Sequence, residues 1–399
     1  MEAGTLQTLS TQRDKSILLI AGEASGDTLA AELVCSLKKK AEQNGETISF
    51  NGAGGPRMAA AGVKLEFDLA AHAVVGIIEV LKNYGKFKGF FDQLLKLALD
   101  TRPDAIILID YPGFNLRYAK KLRSLIAKQA DPLWNPKIVY YVSPQIWAWH
   151  ESRVHGIARD IDLMLSIFPF EKKWYAERVP QFRVEFVGHP LVDRFSTVKE
   201  KQADPLQRNE VLLLPGSRQR ELRKHLPVLI EAARGLCDGS GLVPRLVVPD
   251  QRMADLAAGI LEESIPLPSL QVQIGGLADA LGKARTAIAA SGTVTMECGW
   301  FGVPTVVMYK TSWSTYWLAR WLIKVKFLAM PNLLAGERVF PEFVQHEATA
   351  ANLIAAATPF LSDTAIRRAT CEKLAAAMRT LGSGGASDRA ATAVWSVLG

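Results

Sequence analysis

Short apolar runs alternate with amphipathic stretches along almost the whole chain. Apolar runs of roughly 4–8 residues bounded by Gly, Pro, Asn or Asp read as buried strands, and apolar residues recurring at every third or fourth position read as helices. The strands expected are Ser16–Ala21, Ile48–Asn51, Ala105–Asp110, Lys137–Val142, Leu163–Ile167 and Val184–Val187, then Val211–Leu214, Leu246–Val248, Val272–Ile274, Thr286–Ala290 and Thr305–Tyr309. Helices are expected over Thr28–Lys40, Leu116–Lys128 and Val294–Trp300, after the Pro215–Leu222 turn as far as Cys237, and through the Ala-rich end from Ala348 to Leu398. Strands that alternate with helices imply parallel sheets of an α/β fold. The polar stretch Asp193–Asn209 parts two groups of strands and reads as an interdomain linker. The expected organisation is one Rossmann-like domain over residues 1–195, a linker over 196–209, a second such domain over 210–365, and C-terminal helices over 366–399.

In open α/β sheets, ligands bind beyond the carboxyl ends of the strands, so the turns there carry the candidate chemistry. Ser291-Gly292-Thr293 offers a tight turn and an N-cap, where free N–H groups and the helix dipole suit a phosphate. Glu297, one turn behind Thr293 on the same face, is badly placed for phosphate but well placed for two ribose hydroxyls. An ordinary strand–turn–helix connection with a satisfied Glu is the alternative. Gly216-Ser217-Arg218 opens another helix, with Arg220 close behind; cations there oppose the dipole by ~0.3–1 kcal/mol each unless an anion shares the gap. The turn from Gly22 through Ser25, Gly26 and Asp27 is not a dinucleotide fingerprint, and it serves equally as a ligand approach or as a structural turn. Asp110 ends a strand, which suits a general base or a turn cap. After Lys137–Val142, Ser143 and Gln145 precede Trp147 and Trp149, which suit a sugar-binding wall or plain packing. Asp160 and Asp162 form a DxD pair with no third ligand nearby and read as a solvated strand entry.

Composition narrows the partners. A net charge of +7 and a pI of about 9.1 favour anionic ones. No basic run interleaved with stacking aromatics makes a nucleic-acid module. The four cysteines form no CxxC pair and fit a reducing compartment. No apolar run reaches the ~18 residues of a membrane span, and the polar N-terminus with its short apolar run does not fit a signal peptide. Two segments suit a membrane interface or a packed core: Val74, Val75, Ile77, Ile78 and Leu81 with the lysines and phenylalanines after them, and Trp313, Trp317 and Trp321 at helical spacing among Arg and Lys.

Nine blocks in order resemble the lipid-A-disaccharide synthase family: AGEASGD (Ala21–Asp27), GAGGPRM (Gly52–Met58), DYPGFN (Asp110–Asn115), YYVSPQIWAWHESRV, FPFE (Phe168–Glu171), FVGHPLVD (Phe186–Asp193), LLLPGSRQREL, ASGTVTMECGWFGVP and PNLLAGE (Pro331–Glu337). The resemblance implies a GT-B fold, with two parallel sheets facing an interdomain cleft and C-terminal helices returning to the first domain. It implies an inverting transfer from UDP-2,3-diacylglucosamine to 2,3-diacylglucosamine 1-phosphate, without cofactor or metal, by a peripheral enzyme of the cytoplasmic leaflet and inner membrane of Gram-negative cells, with a homodimer left open. Asp110 is then the candidate base, with His189 and Asp27 as rivals; Gly113 stands where many relatives carry a second acid. Gly216, Ser217, Arg218, Ser291, Gly292 and Thr293 would hold UDP, Glu297 its ribose, and Asn332 would lie near the nucleotide. The same fold serves soluble UDP-N-acetylglucosamine 2-epimerases and a peptidoglycan N-acetylglucosaminyltransferase; the apolar-basic segment after His72 argues against a soluble epimerase. A non-catalytic membrane-bound nucleotide-sugar sensor is the third alternative.

Overall fold

The computed structural model describes residues 14–72, 84–128, 133–196, 208–263, 267, 269–311 and 325–399. The chain forms two units, residues 1–190 with 383–399, and residues 191–382. The membrane-facing candidates Val74, Val75, Ile77, Ile78, Leu81, Trp317 and Trp321 lie outside the described residues.

The first unit runs β1 (Lys15–Ala21), α1 (Ala24–Asn44), β2 (Ile48–Gly54), α2 (Pro56–Ala60), β3 (Lys64–Asp68), α3 (Tyr84–Thr101), β4 (Ala105–Ile109), α4 (Pro112–Ile126), β5 (Lys137–Tyr141), α5 (Ile146–Trp149), α6 (Val154–Asp160), β6 (Leu163–Ser166), α7 (Pro169–Arg178) and β7 (Arg183–Phe186). Its strands lie in the order β3-β2-β1-β4-β5-β6-β7, with every pairing parallel. After α8 (Pro190–Phe195), the second unit runs β8 (Glu210–Leu214), α9 (Gln219–Cys237), β9 (Val243–Val248), α10 (Gln251–Glu262), β10 (Gln271–Ile274), α11 (Leu277–Lys283), β11 (Ala284–Ala290), α12 (Val294–Trp300), β12 (Thr305–Tyr309), α13 (Met330–Ala335), β13 (Glu342–Val344), α14 (Ala350–Ser362) and α15 (Thr364–Arg379). Its order is β10-β9-β8-β11-β12-β13, again all parallel. Covered on both faces, β4 (AIILI) and β8 (EVLLL) are buried at every position, as central parallel strands must be.

Each order reverses direction once, between β1 and β4 and between β8 and β11. At such a switch point the connections leave to opposite sides and open a crevice beyond the strand ends. The turns that border these crevices are those after Ala21 and Ile109 in one unit and after Leu214 and Ala290 in the other.

Several boundaries differ from expectation. The first helix begins at Ala24, so Ser25, Gly26 and Asp27 lie in its first turn rather than in an open loop. The helix after β4 begins at Pro112. The unit boundary falls at Pro190 and Leu191 rather than at 195, and only residues 383–399 return to the first unit, while α15 stays with the second. The returning helix, α16 (Ala386–Leu398), is tied down by Asp388 accepting from Ser36 Oγ at 2.7 Å and by Arg389 donating to the Val187 carbonyl at 2.8 Å. Along α3, Phe90 stacks on Phe67 at 4.4 Å and Phe91 meets Phe114 edge-on at 5.3 Å, while Lys86 and Lys88 are exposed. The described part of the apolar-basic segment is thus a core helix with a solvated lysine edge. Among the described residues no helix is long and apolar enough to cross a membrane.

Asp27 is 2% exposed, and its carboxylate accepts N–H bonds from Gly55 (2.8 Å), Arg57 (3.0 Å) and Met58 (2.9 Å). It caps α2 from the neighbouring helix and welds the turns after β1 and β2 together. A charge-assisted bond contributes ~1.5–3 kcal/mol, so Asp27→Ala is expected to lower unfolding free energy by about 2–4 kcal/mol in urea titration, and Asp27→Asn by about half as much. Unchanged stability in Asp27→Ala would contradict the capping role.

Candidate active site

The first switch point gathers Asp110, Tyr111, Glu23 and Gly22. Asp110 and Tyr111 both hold left-handed backbone, φ +47° and +50°. Such non-glycine residues store strain of ~1–3 kcal/mol each and persist only where the surroundings over-determine them. Here the Asp110 N–H donates to the Tyr141 carbonyl at 2.9 Å, and the Asp110 carbonyl accepts from Tyr140 Oη at 2.6 Å and Asn115 Nδ2 at 2.9 Å. Asn115, fully buried, also donates to the Ile109 carbonyl at 3.2 Å. The Tyr111 ring lies over Gly22 so closely that a Cβ there would sit 2.3 Å from a ring carbon. Glycine is therefore required at 22.

This turn leaves the Asp110 carboxyl at the strand end with its acid form favoured. Burial first, then the nearby negative charge of Glu23, pushes it from 3.8 up to about 6, against a backbone hydrogen bond that lowers it. In AGEASGD, then, the acid that faces Asp110 is Glu23, which sequence reasoning passed over in favour of Asp27. Ser25 is exposed, and Gly26 is buried beside Ala21 and Ile109. Asp27 is engaged in capping α2 through three N–H bonds. Gly113 has open space around it.

Ser143 and Gln145 follow β5, the strand next to β4. Gln145 is exposed; Ser143 is 5% exposed, with its Oγ donating to Tyr175 Oη at 3.3 Å. Beside it Glu171, fully buried, accepts from Trp147 Nε1 at 3.0 Å and from the Phe168 N–H at 3.3 Å, and burial pushes its carboxyl up to about 8. Trp147 is thus packed and hydrogen-bonded, edge-on to Phe170 at 5.0 Å, whereas Trp149 is exposed. His189 follows β7 and packs on Phe168 at 5.3 Å. Asp162 pairs with Arg123 and Asp160 with Arg159, both at the amino end of β6.

At the second switch point the turn after β8 runs Pro215 to Arg218. Gly216 has φ +107°, and a Cβ there would meet Glu221 Oε2 at 2.3 Å. Glu221 holds the half-exposed Arg218 at 3.1 Å, so the cation that sequence reasoning left for an anion already has an internal partner, with further N–H donors to spare. Ser217 is exposed. The partner turn, Ser291-Gly292-Thr293, is held by the Ser291 N–H donating to the Met308 carbonyl at 3.0 Å. Thr293 is helical and exposed with no capping bond of its own; Thr295 Oγ1 instead donates to the Gly292 carbonyl at 2.8 Å. The expected side-chain N-cap is therefore not made. Glu297 is half-buried on α12, its carboxyl raised by burial against the pull of Arg194.

Asn332 corrects an expectation. It lies on α13 and is fully buried. Its Nδ2 donates to the Phe340 carbonyl and to Glu342 Oε1, both at 2.8 Å, and its Oδ1 accepts from the Val339 and Phe340 N–H groups at 2.9 and 2.7 Å. With every donor and acceptor in use, Asn332 has nothing left for a nucleotide; it fixes the path of 339–342. Among the described residues no His/Cys/Asp/Glu group has the arrangement of a metal site.

A protein-family model described as Lipid-A-disaccharide synthetase matches residues 17–393. A lipid-A-disaccharide synthase of Geobacter metallireducens is 38% identical over 98% of this chain and 99% of its own. Among solved structures, a glycosyltransferase of kitacinnamycin superposes with TM-score 0.60 at 18% identity, covering 97% of this chain and 100% of its own. A UDP-GlcNAc 2-epimerase from Neisseria meningitidis, bound to UDP-GlcNAc, gives TM-score 0.61 at 12% identity over 96% of this chain and 99% of its own. These distant likenesses establish the fold alone, the two Rossmann-like domains of GT-B glycosyltransferases. The full-length match in sequence goes further, and on it the chain belongs to the lipid-A-disaccharide synthase family.

Proposed function

We propose that the chain joins two acylated glucosamines at a membrane surface, transferring the sugar of UDP-2,3-diacylglucosamine to 2,3-diacylglucosamine 1-phosphate. The products are the β-1,6-linked disaccharide 1-phosphate and UDP. Family membership supports glycosyl transfer in lipid A biosynthesis. The observation that carries the chemistry is Asp110, a strained, partly buried carboxyl with a pKa of about 6 at a topological switch point.

The 6-hydroxyl oxygen of the acceptor attacks the anomeric carbon on the face opposite the departing diphosphate. Its proton passes to the Asp110 carboxylate as the new bond forms, and the bond from the anomeric carbon to the diphosphate oxygen breaks. An α donor then gives a β product. A pKa near 6 suits this work, because the group is ionised at neutral pH yet more basic than an ordinary carboxylate. In the second unit, the N–H groups of Gly292 and Thr293 and the spare donors of Arg218 receive the charge of UDP. Glu297, raised but ionisable, accepts the ribose hydroxyls.

The raised Asp110 predicts a paired effect. A carboxyl whose folded pKa exceeds its unfolded value contributes stability at low pH that is lost as pH rises through about 6. Asp110→Asn removes that loss. It is expected to stabilise the protein at pH 8 by about 1–2 kcal/mol, the full shift of ~3 kcal/mol being discounted for solvent, while kcat falls about 10²–10⁴-fold. The assay follows UDP and disaccharide 1-phosphate from the two lipids in mixed micelles with EDTA. Full activity in a folded variant would move the base elsewhere. No product from folded wild type would turn the reading toward the epimerase. Separately, Glu297→Ala is expected to weaken UDP binding about ten- to a hundredfold by calorimetry; unchanged affinity would remove Glu297 from the donor site.

A further inference from the structure

One fully buried titratable side chain in the second unit has no part in this chemistry. His225 projects from the second turn of α9 and is 0% exposed. Its Nδ1 lies 2.7 Å from the Pro215 carbonyl, and its Nε2 receives the Lys310 N–H at 3.0 Å. The short contact to the Pro215 carbonyl, which only accepts, puts a proton on Nδ1; in the neutral ring Nε2 then accepts from the Lys310 N–H, with the Lys310 carbonyl also 3.2 Å from it. Burial lowers the imidazole pKa from its ordinary value, which keeps the ring neutral and the arrangement intact. Pro215 opens the Gly216–Arg218 turn after β8, and Lys310 follows the last residue of β12, two strands away. The next residue is clamped from the other side: the Thr311 N–H donates to Gln345 Oε1 at 2.7 Å and Gln345 Nε2 returns to the Thr311 carbonyl at 3.3 Å, from a residue 6% exposed at φ +55°. The end of β12 is therefore a fixed post, and His225 is the strut from it to the Pro215 turn.

We propose that His225 is a positioning residue for the donor, bridging the Pro215 carbonyl to the Lys310 N–H so that the Gly216–Arg218 turn is held in the geometry that receives the diphosphate. This rests on reading that turn as part of the donor site. Besides His225, Glu221 backs the turn, lying under Gly216 and pairing with Arg218 at 3.1 Å; Gly216 itself is in a backbone region that costs glycine nothing, and Ser217 and Arg218 are exposed. Without the strut, the turn samples other conformations, and UDP must select the competent one.

Calorimetric titration of the full chain with UDP at pH 8 tests this, alongside acceptor KM in the coupled assay. His225→Leu keeps the volume and loses both bonds; His225→Gln can donate from its amide nitrogen to Pro215 and accept at its oxygen from Lys310. The expected result is a UDP Kd raised about tenfold in His225→Leu, equivalent to ~1.4 kcal/mol, with acceptor KM within about twofold and His225→Gln within about threefold of wild type. If His225→Leu does not fold, His225→Asn, one carbon too short to reach both partners, takes its place under the same thresholds. Wild-type affinity in that variant overturns the proposal, as does a His225→Gln variant no better than it. Arg218→Ala separates the two layers. If it weakens UDP binding while His225→Leu does not, the donor site stands and the strut falls; if it leaves UDP binding unchanged, the donor reading falls and takes the proposal with it.

Discussion

At the carboxyl end of β4 the backbone passes through two successive left-handed residues, and the interior around them serves to keep it there. The Asp110 carbonyl takes hydrogen bonds from Tyr140 and Asn115, its N–H is paired across to β5, and the Tyr111 ring is seated on a glycine that has no Cβ to obstruct it. Each bond is of an ordinary kind. Together they offset a strain of several kcal/mol and place one carboxyl at a crevice beside a second acid, Glu23, where its charged form is disfavoured. Burial and like charge thus do the tuning, and the hydrogen bonds do the aiming.

The same economy appears in the second unit with different chemistry. There the two turns at the switch point expose small residues and N–H groups, and the side chains that shape them are buried behind: Glu221 under Gly216, His225 between Pro215 and Lys310, Gln345 on Thr311. Neither sheet needs an exotic element. Parallel topology reverses once in each unit, the reversal leaves adjacent strand ends with diverging connections, and the residues that matter stand on those ends.

Much of this was legible in the sequence because central parallel strands are buried on both faces and so read as unbroken apolar runs. Ala105–Ile109 and Val211–Leu214 are such runs; β3, with alternating exposure at the sheet edge, and the three-residue β13 are not, and both were missed. The candidate turns were found because Gly, Ser and Pro punctuate strand ends. What the sequence withheld was direction. Glu23 and Asp27 lie four residues apart in one motif, but the helix starting at Ala24 points Asp27 into the capping of α2 and leaves Glu23 near Asp110. The resemblance puts Asn332 near the nucleotide, but on a buried helix its whole hydrogen-bonding capacity goes to residues 339–342. His225 carried no sequence signal, since one titratable residue on an amphipathic helix looks the same whether it is solvated or a buried strut; Glu171 closes the FPFE block, but nothing in the sequence shows it to be buried.

In the proposed mechanism Asp110 acts as a base with a raised pKa, and the pH dependence of kcat/KM for the acceptor reads that group in the donor-bound enzyme. With saturating donor and limiting acceptor in mixed micelles, the acid limb is predicted to fall with unit slope through an apparent pKa of about 6, matching the raised carboxyl. A limb at the ordinary carboxylate value near 4, or a rate unchanged down to pH 5, would contradict it.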